Sequence, residues 1–213
     1  MNDLILTSFE EMVSTYKETL KNIYPARGST GFTEANQVHI YTNSLVNTLG
    51  DTDAVSWLEF PWESKKQHID SLVYSPKHQA IFYIEAKRIY SAKKKVEMIN
   101  DIKRLYHSNR VFLQEHGITQ YNSEYIIALS DVWLEKKWQK AIPAWWCTAD
   151  RIPEQVKLWE QQTGKSLMPT DITIHDELIT MDWDQSRPFA YWLGETCNNV
   201  KNYCLLMASL KIS

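Results

Sequence analysis

Cysteine and histidine are too few and too scattered in this sequence to suggest a disulfide framework or a zinc site. The three cysteines, Cys147, Cys197 and Cys204, are odd in number and have no Cys-x-x-Cys spacing, which predicts reduced thiols. The six histidines form no ligand-like group. We therefore expect no transition-metal site, and any bound metal should have oxygen ligands.

Long apolar runs are missing as well. No stretch approaches the roughly 18 residues that a membrane span requires, and the acidic residues 1–11 contain no signal-peptide core. These absences predict a cytoplasmic protein with no membrane partner. The sequence also has no Walker loop, no G-x-S-x-G or H-E-x-x-H motif and no dinucleotide fingerprint, so it gives no sign of those enzyme classes.

The composition is that of an ordinary soluble domain. The chain has 213 residues, of which 44% are hydrophobic and 23% charged, enough to bury a substantial core. We find no internal repeat or long linker, which predicts a single domain over residues 1–213. The pattern of predicted elements places its core at about 30–130 and a C-terminal elaboration at 131–213.

Charge is unevenly distributed along the chain. The net charge is −3, yet residues 87–110 contain eight Lys or Arg against two acids. Residues 150–186 contain eight acids against three bases, and this acidic segment is a candidate contact for a protein partner. A basic segment on an acidic body is consistent with a phosphate-binding groove. The alternative is a solvated helix face.

Hydrophobic periodicity predicts an α/β fold. Helices are expected at residues 4–23, 33–49 and 92–115, with Thr33 as an N-cap and with Gly50 and Gly117 as stops. Residues 25–31 read as a loop. Strands are expected at 55–60, 69–74, 80–89, 124–129 and 203–212, with a Trp-rich helix or loop region before the last. Because a strand after a crossover helix usually joins its sheet in parallel, we predict a mixed central β-sheet flanked by helices.

The chemistry-bearing residues lie in the predicted hairpin. Side chains alternate faces along a strand, so Glu85 and Lys87 share a face at the end of an apolar strand. Pairing across the S-P-K-H-Q turn sets Asp70 opposite Glu85, where like charges are destabilising. A shared Mg²⁺, for which Mn²⁺ can substitute, explains such a pair. Lys87 could then orient or deprotonate a water, or stabilise charge on a phosphate. The alternative is a structural salt bridge.

This arrangement resembles a known nuclease signature. Asp70, fourteen intervening residues, then Glu85-Ala86-Lys87 is similar to the PD-(D/E)XK, or restriction-endonuclease-like, superfamily over roughly residues 30–130. The sequence departs from the motif at Ile69, the residue before Asp70, where the motif has Pro. Many members of the superfamily tolerate this change. The resemblance implies an αβββαβ core and divalent-metal-dependent cleavage of phosphodiester bonds, usually in DNA.

The resemblance also implies a set of site residues. Asp70 and Glu85 would hold the metal, with the Ala86 carbonyl as a further ligand and Lys87 as the catalytic lysine. An acid is expected on the helix before the sheet, and Glu34 fits, although a first-turn acid also favours the helix dipole. Glu59 on the first strand is either a further metal ligand or an edge-strand charge.

The helix after the motif supplies candidate nucleic-acid contacts. In the resembled fold this helix lies beside the active-site cleft, where basic side chains bind phosphates without reading sequence. The candidates are Arg88, Lys94, Lys95, Lys103 and Arg104, and we expect Lys94 and Lys95 to matter most. Each could instead be an ordinary surface charge.

These expectations combine into a functional hypothesis. The chain is predicted to be a cytoplasmic, Mg²⁺-dependent DNA endonuclease of a restriction or phage-defence system, and a homodimer would allow both strands to be cut. A repair or mobile-element nuclease is a second enzyme hypothesis. The rival from another class is a non-catalytic nucleic-acid-binding or protein-interaction subunit on the same fold.

Overall fold

The structure is a computed structural model that describes most of the chain. The described residues are 1–23, 32–62, 67–134, 136–147, 154–164, 166, 173–178, 189–192 and 203–213. The loop predicted at 25–31 lies outside them, as does Cys197. Of the acidic segment 150–186, the described parts are 154–164, 166 and 173–178.

The described elements alternate between helices and strands. In chain order they are α1 (Asn2–Asn22), α2 (Glu34–Leu49), β1 (Val55–Trp62), β2 (Gln67–Ser75), β3 (Ala80–Arg88), α3 (Ala92–His107), α4 (Val111–Glu115), β4 (Ser123–Trp133), α5 (Lys137–Lys140), α6 (Ile142–Trp146), α7 (Glu154–Thr163), α8 (Ile174–Leu178), β5 (Phe189–Trp192) and β6 (Tyr203–Lys211). None of the described helices is long and apolar enough to cross a membrane.

Helix α2 begins and ends where its sequence predicts. The Thr33 side chain accepts a hydrogen bond from the Asn36 amide, which satisfies one of the unpaired N–H groups at the helix start. Gly50 adopts a left-handed conformation with φ of 54°, which costs little because glycine has no Cβ. This capping fixes the first turn of α2, from which Glu34 projects.

The central sheet is mixed, as predicted. The strand order is β1-β2-β3-β4-β6-β5, with five long strands and the four-residue β5 at one edge. Strands β3 and β4 are parallel because α3 and α4 connect them, and the other neighbours are antiparallel. The α/β class and the helix-flanked sheet are therefore confirmed. Strand β5 was not predicted.

Alternation along β3 separates two apolar cores. Phe82 and Ile84 pack with α1 and α2 on one face, which we call the α1/α2 face. Ile81 and Tyr83 pack with α3, α4 and α6 on the other, the α3 face. Because the period is two, Glu85 belongs to the α3 face with Ile81 and Tyr83.

The helix predicted over 92–115 is wrong in its length, because it breaks into α3 and α4. Ser108 is extended, with φ of −65° and ψ of 145°. The Ser108 hydroxyl and the Arg110 guanidinium both donate to the Leu105 carbonyl, so side chains satisfy the groups that α3 leaves unpaired at its end. A serine that bonds locally to the backbone competes with helix continuation.

The described cysteines are both buried in the core of the α3 face. Cys147 and Cys204 are 3% and 0% exposed, and they pack among aliphatic and aromatic side chains. They behave there as small apolar residues, which is the usual place of a buried thiol.

Candidate active site

Asp70 and Glu85 meet where β2 and β3 end their pairing. The last registered pair is Ser71 with Ile84, and the same register carried one residue further sets Asp70 opposite Glu85. The Ala86 amide donates to Asp70 Oδ2 at 2.8 Å. The two carboxyl groups are also close enough to hydrogen-bond one another. The sheet thus brings together the two carboxylates that the hairpin predicted.

Both carboxyl groups are harder to ionise than usual. Burial, followed by the charges of Asp70 and Asp101, raises the pKa of Glu85 well above its ordinary range. Burial also raises the pKa of Asp70, and the nearby charge of Glu59 adds to the effect. Two adjacent carboxylates, one buried and one partly buried, cannot both be charged at low cost unless positive charge joins them.

Arg104 supplies part of that positive charge. It extends from α3 to Glu85 Oε1 at 2.8 Å and lies 3.4 Å from Asp101. Its guanidinium also stacks over the Trp62 ring, 4.6 Å from the centroid. The residue predicted as one of several phosphate contacts therefore lies against the carboxylate pair itself.

Lys87 is held as an ammonium. Its Nζ lies 3.0 Å from Asp101 Oδ2, and both side chains are largely buried. Burial lowers the pKa of Lys87, but the charges of Asp101 and Asp70 outweigh it, so the pKa is raised overall. A protonated lysine suits charge stabilisation or the positioning of a water, whereas removal of a proton would require the neutral amine.

Glu34 turns towards the end of β3, as its position on the helix predicted. Its Oε1 accepts a hydrogen bond from the Arg88 amide at 2.9 Å. Its charge acts on Asp131, which lies on the α1/α2 face, and on Lys94 of α3. Glu34 holds the backbone next to Lys87, while its part in metal binding stays a prediction.

Arg88 is the centre of a buried ion pair on the α1/α2 face. Its guanidinium donates to both oxygens of Asp131, at 3.1 and 3.2 Å, and Asp131 is fully buried. Gln37 Nε2 at 2.8 Å and the Tyr203 hydroxyl also donate to Asp131. Burial raises the pKa of Asp131 to about 6 despite Arg88 and Tyr203, which lower it. No signal in the sequence connects Asp131 with Gln37 and Tyr203.

Glu59 lies at a distortion of the edge strand β1. Register passes from Leu58 with Ser71 to Phe60 with Ile69, and Glu59 between them has a φ of 53°. That conformation is uncommon for a residue with a Cβ. The side chain is 74% exposed, with its carboxylate 4.0 Å from His68 Nδ1. Glu59 is near enough to act on Asp70 electrostatically, and its role as a metal ligand stays a prediction.

The remaining basic candidates on α3 have partners within the chain. Lys94 lies 2.7 Å from Glu97, and Lys103 lies 2.9 Å from Glu177 in the acidic segment. The Lys95 ammonium lies over the Trp145 ring at 4.7 Å from the centroid. To contact a phosphate, each of these residues would therefore have to give up its contact within the chain.

The function of this site can be inferred only from its geometry. No protein family, curated protein or solved structure matches this chain. Nor do the described residues contain a group of three or more His, Cys, Asp or Glu arranged for a metal ion. The pair of Asp70 and Glu85 nevertheless fits Mg²⁺, which commonly binds through one or two carboxylates and keeps several waters.

Sequence reasoning missed two residues of this site, Asp101 and Trp62. Asp101 contacts both Lys87 and Arg104, and Trp62 carries the stacked guanidinium. Asp101 and Arg104 are three residues apart on α3, a spacing that puts them on one helix face and could have linked them. Nothing local in the sequence connects Trp62 to α3.

Proposed function

We propose that this chain is a divalent-metal-dependent nuclease of the PD-(D/E)XK type that hydrolyses phosphodiester bonds in DNA. The observation that supports it most is the adjacent pair of Asp70 and Glu85 at the strand ends, of which Glu85 is buried and Asp70 partly buried, with the Lys87 ammonium two residues further along β3. The order α2-β1-β2-β3-α3-β4 agrees with the αβββαβ core that this superfamily implies, if the short α4 is counted with α3.

The carboxylate pair is the proposed Mg²⁺ site. Asp70 and Glu85 would hold the ion, and the Ala86 carbonyl and Glu59 remain candidate further ligands. When bound, Mg²⁺ polarises a phosphate oxygen and lowers the pKa of a coordinated water. Lys87, kept protonated by Asp101, would stabilise the charge that develops on the phosphate. Asp101 and Glu34 would act indirectly. Asp101 positions the Lys87 ammonium, and Glu34 positions the neighbouring backbone.

Unused hydrogen-bond donors beside the carboxylates favour an anionic substrate. Arg104 Nε and Trp62 Nε1 are buried and have no hydrogen-bond partner among the described residues. Buried N–H groups are usually paired, because burying one without a partner is costly. Phosphate oxygens could accept from such donors only after the site rearranges, because neither nitrogen is exposed in this structure.

The direct test is cleavage of DNA by the purified full chain. Supercoiled plasmid and linear genomic DNA are incubated with Mg²⁺, with Mn²⁺ and with EDTA, and products are resolved on gels. We expect cleavage with either metal and none in EDTA. Matched RNA substrates decide between DNA and RNA. DNA binding without any cleavage in either metal would favour the rival proposal, a non-catalytic binding subunit.

Biological setting and assembly remain parts of the proposal. A restriction or phage-defence role in the cytoplasm agrees with a DNA-cutting activity. Double-strand cutting would require two active sites, hence the proposed homodimer. Residues 150–186 stay the candidate contact for a protein partner. Light scattering during size-exclusion chromatography gives the oligomeric state with and without DNA.

The basic helix provides a separate prediction about DNA affinity. A Lys94→Glu/Lys95→Glu variant should bind DNA more weakly, and log affinity should fall less steeply with log salt, by roughly one unit for each phosphate that the protein no longer binds. Sequence preference should not change, because phosphate contacts ignore base identity. Binding is measured by fluorescence anisotropy at several salt concentrations in EDTA, which prevents cleavage.

The matched control is Lys17→Glu/Lys21→Glu on α1. It makes the same change in net charge on the opposite face of the sheet. If both double variants lose affinity equally, the effect is one of overall charge. If Lys94→Glu/Lys95→Glu binds like the unmodified protein, α3 does not line the DNA groove, and the Trp-rich segment at 133–146 is the next candidate.

A further inference from the structure

Arg104 lies against one of the two carboxylates of the proposed metal site. Its guanidinium donates to Glu85 Oε1 at 2.8 Å. Glu85 therefore already has a cation on one of the two oxygens with which it would ligate the metal. The same carboxyl group lies within hydrogen-bonding reach of Asp70.

Charge explains why the arginine is there in the metal-free protein. Asp70, Glu85 and Asp101 bring three negative charges to one small region, and Lys87 and Arg104 bring two positive ones. If Arg104 were removed, Lys87 would be the remaining cation among these five side chains, beside the buried Glu85 and the partly buried Asp70. A divalent ion added to the full set would instead leave an excess of positive charge, and Arg104 already contacts Glu85, one of the two proposed ligands.

Burial decides which partner can move. The Glu85 side chain is 2% exposed and is fixed on a central strand, whereas the Arg104 side chain is 29% exposed on a helix. A second acceptor, Asp101, already lies 3.4 Å from the guanidinium and shares its helix. Arg104 can therefore leave Glu85 without losing every ionic partner, while Glu85 has no comparable freedom.

We infer that Arg104 is a resident counter-ion of Glu85 that a divalent cation must displace in order to bind. The inference rests on the proposed function, because it takes Asp70 and Glu85 as the metal-binding pair. In the metal-free protein Arg104 holds Glu85 in place. When metal binds, the guanidinium shifts to Asp101 and towards the proposed DNA groove along α3. Arg104 therefore weakens metal affinity. A residue that merely supported the site would strengthen it.

The test is Mn²⁺ affinity, measured by isothermal titration calorimetry on the full chain without DNA. Arg104→Gln should bind Mn²⁺ roughly tenfold or more tightly than the unmodified protein, because a hydrogen bond between charged groups no longer has to be broken. Lys103→Gln is the matched control. It removes one positive charge from the adjacent position, where Lys103 pairs with Glu177, and should leave the Kd near its original value.

Two further variants separate the possible failures. Asp70→Asn should bind Mn²⁺ much more weakly, and Arg104→Lys, which keeps the charge but not the planar fork, should give an intermediate Kd. If Asp70→Asn weakens binding and Arg104→Gln leaves it unchanged or weaker, the metal site stands and the displacement is wrong. If Lys103→Gln tightens binding as much as Arg104→Gln, the cause is a general effect of charge and the displacement of Arg104 is wrong. If neither the unmodified protein nor any of these variants binds Mn²⁺, both proposals fail.

Thermal unfolding gives a readout that also checks folding. A ligand that binds only the folded state raises the Tm, and the increase grows as its concentration exceeds Kd. At equal Mn²⁺ concentration, the increase in Tm over the EDTA value should be larger for Arg104→Gln than for the unmodified protein. An equal or smaller increase in a folded Arg104→Gln variant would overturn the inference.

Discussion

Glu85→Gln should lose DNA cleavage by several orders of magnitude while the protein still folds. Glutamine keeps the volume of this buried side chain but lacks the charge that the proposed Mg²⁺ site requires. A metal contributes several kcal/mol of transition-state stabilisation, and every 1.36 kcal/mol is tenfold in rate. The measurement is the initial rate of plasmid cleavage in Mg²⁺, with folding checked by circular dichroism.

Asp70→Asn and Lys87→Met should show comparable losses, and for different reasons. Asp70→Asn removes the second metal carboxylate, whereas Lys87→Met leaves both carboxylates and removes the ammonium beside them. Lys87→Met should therefore retain Mn²⁺ binding in calorimetry, and Asp70→Asn should not.

The control for the loss of cleavage is Glu18→Gln on α1. It makes the same chemical change at an exposed residue that pairs with Lys21, far along the chain from the site. Its cleavage rate should equal that of the unmodified protein. Unchanged cleavage by Glu85→Gln, or cleavage in EDTA, would disprove the proposed mechanism.

Asp131→Ala should be the most destabilising single substitution that we propose, at about 3–5 kcal/mol. The change removes the acceptor for Arg88, Gln37 and Tyr203 in one step and leaves a guanidinium that is largely buried without its counter-ion. Unfolding in urea, followed by tryptophan fluorescence, gives the change in the free energy of unfolding.

A double substitution distinguishes the ion pair from simple loss of packing. Arg88→Met combined with Asp131→Leu removes both charges and fills their space with apolar atoms. Because replacing both members of a buried pair is often nearly neutral, the double variant should be more stable than Asp131→Ala. A loss below about 1 kcal/mol for Asp131→Ala would show that Arg88 finds another partner or reaches water.

The first half of the fold could be predicted because its signals are local. Thr33 and Gly50 mark the ends of α2, and alternating side chains with a four-residue turn define the hairpin of β2 and β3. The same alternation places Glu85 and Lys87 on one face, and hairpin register places Asp70 opposite Glu85. The site's carboxylate pair is therefore a consequence of pattern and register alone.

Two predictions of secondary structure failed because the hydrophobic pattern did not contain the deciding signal. The periodicity of residues 92–115 looks continuous, but the side chains of Ser108 and Arg110 end α3 early. Strand β5 has four residues and pairs with β6 across a stretch of chain between them, so neither its length nor its position distinguishes it in the sequence.

The sequence by itself determined the hairpin, the faces of β3 and the meeting of Asp70 with Glu85, since these follow from strand period and a short turn. Tertiary structure decided which charges neutralise one another. Arg104 reaches Glu85, and Asp101 reaches Lys87, because α3 packs across the sheet on apolar side chains such as Met98 and Ile102. Gln37 meets Asp131 from 94 residues away, through the packing of α2 on the opposite face. Such pairs depend on how helices dock onto the sheet, and docking is set by the shape of the whole buried surface.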